Sequence, residues 1–267
     1  MTATTLLVIF STVLGLAVGS FLNVVVWRLP RGEKLTSPPS ACPRCQHSIR
    51  WHDNVPVVGW LLLRGRCRDC SEPIAARYPL VEASTAIAFG VTAAVIGAET
   101  RLIWALPAFL YLAAISIALT LIDLDTQTLP NRIVLPSVVV GAALLAIASA
   151  GTGNWGAFAG ALAGGAALFV FYFIIALVQP RGMGMGDVKL AAVLGLYLGW
   201  LGWGVVAVGA FAAFLLGGVF AIALLIIRRA GRRTAIPFGP WMIAGAWVGI
   251  AFGSQLWNGY MVATGLA

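Results

Sequence analysis

Three carboxylates and four thiols are the side chains of this chain best placed to do chemistry, and their spacing narrows what that chemistry is. Asp187 follows three alternate glycines in the stretch Gly182-Met-Gly-Met-Gly-Asp-Val-Lys189 and heads a long apolar run. It is the last acidic residue in the sequence. Beyond Glu99 only Asp123 and Asp125 join it, at the end of another apolar segment. A carboxylate at the mouth of a membrane segment is costly wherever it is dehydrated, which makes it a functional-site hypothesis by default. Two such groups brought together cannot both ionise easily and share a proton. One oxygen then takes a proton from water while the other acid polarises a carbonyl. Asp123 and Asp125 compete for the partnership with Asp187, because two residues on a helix stand about 200° apart and cannot both face one partner. The plainer reading makes all three acids interfacial, capping helices or pairing with Arg132, Arg181 or Lys189. Gly182, Gly184 and Gly186 favour the chemical reading, because glycine adopts conformations barred to other residues and lets another chain come close.

The thiols form two pairs, Cys42-Pro-Arg-Cys45 and Cys67-Arg-Asp-Cys70, with 21 residues between them. Each pair turns two thiolates toward one point, and four thiolates suit a tetrahedral zinc ion. The alternative is two disulfides, which need an oxidising compartment. Nine of the 17 Lys and Arg residues fall between Arg28 and Arg77, which places this loop in the cytoplasm and favours zinc. A polar segment of about 50 residues has too little core to stand alone, and a metal is the usual remedy. The metal is then structural. His47 and His52 are read as surface residues, since four cysteines fill the site.

The elements that must position these groups follow from composition. With 60% hydrophobic and 10% charged residues and a mean hydropathy of +0.95, the chain is a polytopic membrane protein. The net charge of +8 is topology and not a nucleic-acid signal, because the basic residues cluster where the positive-inside rule wants them. Apolar runs predict eight spans, over residues 6–27, 80–98, 102–124, 138–150, 155–177, 188–200, 205–227 and 241–252. The first run has no basic residue before it and Arg28 directly after, so it is expected as a retained helix with its N-terminus outside. Glu82 is expected to pair with Arg77 at the interface, and Glu99 with Arg101 to sit in an outside turn. The cluster Arg228, Arg229, Arg232 and Arg233 is expected in the cytoplasm. Gly15 with Gly19, Gly156 with Gly160 and Gly164, and Gly195 with Gly199 are small-residue stripes for close helix packing. The expected architecture is all-α, with about eight transmembrane helices and a small zinc-ribbon-like cytosolic loop domain. Residues 1–27 form the first span, 28–79 the four-cysteine domain and 80–267 a core of about seven helices. On this topology Asp123 and Asp187 reach the same membrane face.

Gly184-Met-Gly-Asp187 matches the GxGD motif of intramembrane aspartyl proteases. The longer run through Lys189 and on to Leu194-Gly-Leu-Tyr-Leu-Gly-Trp200 resembles the type IV prepilin peptidases of bacteria. Gly19-Ser-Phe-Leu-Asn-Val-Val-Val-Trp-Arg-Leu-Pro30, the paired CxxC loop, Arg77-Tyr-Pro-Leu-Val-Glu82, Asp123-Leu-Asp-Thr-Gln-Thr-Leu-Pro-Asn131 and Ile236-Pro-Phe-Gly-Pro240 extend the resemblance nearly end to end. The resemblance implies a multi-pass protein of the bacterial cytoplasmic (inner) membrane that cleaves the leader of type IV prepilins or pseudopilins at the cytoplasmic face. Aligned on Leu129-Pro130, it selects Asp123 and Asp187 as the catalytic pair. Gly184, Gly186, Asp125 and Lys189 become supporting residues. It also implies methylation of the new N-terminal amine with S-adenosylmethionine as donor, an activity it associates with the cytosolic loop. No Rossmann-type nucleotide loop is visible, and no residue is assigned to that donor. Lipid and prepilin are the expected partners, nucleic acid is not, and the sequence leaves the oligomeric state open. The competing class is a proton- or cation-coupled transporter with a zinc-stabilised cap, which would want carboxylates near the bilayer midplane and two repeat-related halves.

Overall fold

The computed structural model describes residues 2–97, 100–179, 182–227 and 237–266. The expectations for Glu99, Arg181 and the cluster Arg228, Arg229, Arg232 and Arg233 lie outside these residues, as does that for the side chain of Arg101. Eight long helices and one short one make up the described architecture, in the order α1 Ala3–Arg28, α2 Val58–Leu62, α3 Arg77–Ile96, α4 Leu106–Thr126, α5 Asn131–Thr152, α6 Trp155–Val178, α7 Met185–Leu201, α8 Trp203–Ile226 and α9 Gly239–Thr264. A 3-10 turn over Thr100–Ala105 leads into α4. Six of these helices are long and apolar enough to cross a membrane: α1, α3, α4 with its leading turn, α5, α6 and α8. At 17 residues α7 is short for a span, as the sequence suggests, whereas glycines, tryptophans and side-chain amides dilute the apolar character of the 26-residue α9.

Three boundaries differ from expectation. The helix expected from residue 138 starts at Asn131 and carries Pro136 in its second turn. There the missing amide forfeits one bond, to the carbonyl of the exposed Arg132. The last helix continues past residue 252 to Thr264, through Ser254, Gln255 and Asn258, which end the apolar run without ending the helix. Gly265 stops it in the left-handed conformation at φ 68°. Asp187, expected just ahead of its helix, is the third residue of α7.

The chain folds as two compact units, residues 1–118 and 119–267, with the boundary inside α4. In the first unit α1 and α3 pack antiparallel through the predicted glycine pair. A Cβ on Gly15 would stand 2.7 Å from the Ala86 Cα, and one on Gly19 2.7 Å from the Glu82 Cα. The loop between these helices is built around Trp60, whose ring covers Gly65 and whose Nε1 donates to the Ile74 carbonyl at 3.0 Å.

In the second unit α6 and α7 pack antiparallel with backbones in contact. A Cβ on Gly164 would meet the Gly195 carbonyl oxygen at 2.6 Å, and one on Gly160 the Gly199 carbonyl oxygen at 2.7 Å. Gly156 stands apart from this seam, meeting only the Asn154 side chain. A third glycine seam joins α8 to α9, where Gly209 faces Gly245 and Gly249. Small residues are what permit such approach in a membrane, where the hydrophobic effect does not press helices together. Between α5 and α7 the buried Trp200 Nε1 donates to Ser149 Oγ at 2.9 Å.

Candidate active site and metal centre

Asp123 lies in the last turn of α4 and is 4% exposed. Asp125, two residues on in the same helix, is exposed, as the helical rotation requires. The chain then turns sharply at Gln127, at φ 52°, with the Gln127 amide donating to the Asp123 carbonyl at 2.8 Å. Pro130 precedes the first residue of α5 and fixes its entry.

Asp187 sits in the first turn of α7, where a negative charge suits the unpaired amides of a helix start. Its Oδ2 accepts from the Gly184 amide at 3.1 Å. Both carboxylates line one open cleft of about 340 Å³, together with Gln127, Asn131, Lys189 and residues 184–186. On its wall the Lys189 ammonium donates to Asn131 Oδ1 at 2.9 Å and ties the start of α7 to the start of α5.

Leu129 is the packing centre that makes the two aspartates neighbours. A Cβ on Gly186 would lie 2.9 Å from the Leu129 Cβ. One on Gly239, the first residue of α9, would lie 2.7 Å from Asp123 Oδ2 and 3.4 Å from the Leu129 Cδ1. Phe238 holds Gly239 in place, with its ring 5.4 Å from that of Phe214 and 6.4 Å from that of Tyr172. Asp123 Oδ2 is buried among these groups, beside the Gly239 backbone.

The glycines of the motif act differently from the sequence expectation. Gly184 takes an extended φ of −79°, and neither Gly182 nor Gly186 has a positive φ, so unusual conformation is not their contribution. Close approach is, and only at Gly186. A Cβ on Gly184 would stand 3.5 Å from Asp187 Oδ2 and one on Gly182 3.6 Å from the Gln179 carbonyl, both ordinary contacts. Gly239 and Leu129 are the positioning residues that reasoning from residue type missed. The signal available for Gly239 was a glycine set between two prolines, in Pro237-Phe-Gly-Pro240.

In the loop, the four Sγ atoms lie within 4.8 Å of one another, with Cys42 to Cys70 at 3.7 Å and Cys45 to Cys67 at 3.9 Å. Tetrahedral zinc with bonds of about 2.3 Å implies sulfur–sulfur edges of about 3.8 Å, so this donor set fits a metal ion. The two knuckles repeat one backbone pattern. The Cys42 and Cys67 amides donate to the His47 and Glu72 carbonyls at 3.0 and 2.8 Å. The turns pass through Gln46 and Ser71 at φ 61° and 58°, and each closes on an antiparallel bridge. Hydrogen bonds from the backbone of Cys45, then Arg44, bring the Cys42 thiol down to about 7. His47 and His52 are surface residues, with side chains 69% and 47% exposed. The Asp53 carboxylate accepts from the Arg68 guanidinium, which holds it below the usual carboxylate range and ties the first half of the loop to the second knuckle. Glu82 binds the loop to α3 by accepting the Val57 amide at 2.7 Å.

A polytopic helical membrane protein with two aspartates on one cleft has the makings of an intramembrane aspartyl peptidase. Residues 13–96 match the bacterial peptidase A24 N-terminal domain, and residues 110–222 match the type IV leader peptidase family. A prepilin leader peptidase/N-methyltransferase of Stutzerimonas stutzeri is 36% identical, over 95% of this chain and 93% of its own. Proteins of the same name from Pseudomonas putida and Pseudomonas aeruginosa are 37% and 36% identical over 96% and 97% of this chain, each across 94% of its own length. No solved structure matches. The chain belongs to the type IV leader peptidase family, as a membrane peptidase. Nothing in these comparisons supports the transporter alternative.

Proposed function

We propose that this protein cleaves the leader of type IV prepilins or pseudopilins at the cytoplasmic face of the inner membrane, with Asp123 and Asp187 as the catalytic pair. The observation that carries the reading is the placement of both carboxylates on one cleft, one buried and one at a helix start. Sharing one proton, the ionised carboxyl removes a proton from water as it attacks the scissile carbonyl, while the protonated carboxyl donates to the carbonyl oxygen. Collapse of the resulting gem-diol breaks the C–N bond. The amine leaves with a proton returned by the pair. Lys189, fixed by Asn131, sets a positive charge on the cleft wall and offsets the net charge of the pair. Gly186 supports the site by letting the start of α7 pack close on Leu129, Gly184 by the amide it donates to Asp187, and Asp125 is a supporting or capping residue.

Residues 1–27 serve as the first span, residues 28–79 as a cytosolic domain held by structural zinc on Cys42, Cys45, Cys67 and Cys70, and residues 80–267 as the catalytic membrane core. The same protein methylates the newly freed amine, with S-adenosylmethionine supplying the methyl group. That activity rests on the relatives' shared name, and no residue is assigned to it. Co-expression with a prepilin tests the reading. Asp123→Asn or Asp187→Asn abolishes leader cleavage with the protein still inserted, whereas Asp125→Asn retains substantial activity. Loss in Asp125→Asn with retention in Asp123→Asn would reverse the assignment. An in-vitro assay with and without the methyl donor separates the two activities.

A further inference from the structure

The short helix α2 presents an apolar face that no other described residue of the first unit covers. Val58, Leu61 and Leu62 are 48%, 61% and 76% exposed, and Val55 just ahead of the helix is exposed as well. The other side of the helix is committed inward. Trp60 supplies the core of the loop, and Gly59 is buried against the Asp53 backbone.

One hydrogen bond ties the start of α2 to α3. Glu82 of α3, 9% exposed, accepts the amide of Val57, the residue just ahead of α2. Helical side chains lean toward the N-terminus, so this carboxylate stands level with the first turn of α3. That turn exposes Tyr78 and Leu80, at 47% and 65%. The end of α1 exposes Trp27, at 56%, with the Arg31 guanidinium stacked 3.6 Å above its ring. Exposed Trp and Tyr flanked by arginine, at helix ends that continue into apolar runs, mark the membrane–water interface. The apolar face of α2 therefore stands at the level of these interfacial residues. Arg64 and Arg66, both exposed and without an ionic partner among the described residues, follow directly and suit lipid phosphates.

We propose that α2 is an interfacial anchor: Val58, Leu61 and Leu62 insert at the boundary between headgroups and acyl chains of the bilayer and moor the four-cysteine loop to the membrane surface. Burial of three branched side chains and a flanking basic pair is the physics of a helix lying in the interface. The full-length protein in phosphatidylglycerol-containing nanodiscs tests this. A benzophenone amino acid replaces Leu62 in one preparation and Leu61 in another, with an unchanged metal-to-protein ratio as the check that the loop is intact. On irradiation, intact-mass analysis should show an adduct of one phospholipid at one or both positions. Absence of a phospholipid adduct at both positions, or crosslinking to a second copy of the chain in its place, would overturn the proposal.

Discussion

At the residue scale, the account turns on which atoms crowd the two carboxylates. Gly239 leaves little room for a side chain, because a Cβ would press on Asp123 Oδ2. Gly239→Ala should therefore insert in the membrane normally and lose on the order of a hundredfold in leader cleavage, the cost of moving a catalytic group by about 1 Å. Gly184→Ala meets only ordinary contacts and leaves the site intact. Comparing the two variants in the cleavage assay separates crowding at the carboxylate from loss of backbone freedom in the motif. Asp53 makes a second residue-level prediction. Its carboxyl is held low by Arg68, so its contribution to the loop is present above the pKa of the unfolded chain and is lost as pH falls through the lower folded value. Asp53→Asn should make the loop more susceptible to proteolysis at neutral pH and flatten the effect of acidification seen in the parent protein.

At the scale of elements, three glycine seams join the long helices in pairs. Gly164→Leu or Gly199→Leu forces bulk into the backbone contact between α6 and α7, and should destabilise the protein by at least about 1–3 kcal/mol, read as a lower unfolding temperature in detergent. Gly156→Leu should be nearly neutral, since that residue stands off the seam. The loop makes a different prediction, because its two knuckles have little core beyond Trp60. Purified protein should hold about one zinc ion per chain, and Cys42→Ser or Cys70→Ser should lose it. Chelation should expose the loop to protease. Metal-free protein with two disulfides would overturn the metal assignment.

At the scale of the whole molecule, the eight long helices were legible because membrane spans are written as apolar runs, and the glycine seams of α1 with α3 and of α6 with α7 because small residues recur every four positions. Polar and proline breaks misled where the helix continues through them, at Pro136 in α5 and beyond Phe252 in α9. The five-residue α2 was invisible, too short for any period to show. The aspartates and cysteines stood out by residue type, but the convergence of Asp123 and Asp187 was not, since it depends on Leu129 and Gly239 packing across 110 residues of chain. The most direct test is therefore whether the two carboxylates act as one unit. Reconstituted protein is assayed on a prepilin as parent, Asp123→Asn, Asp187→Asn and the double variant. Groups that share one proton should each cost as much alone as both together, so the three variants should fall to the same residual rate. Cleavage at the parent rate by either single variant would contradict the account.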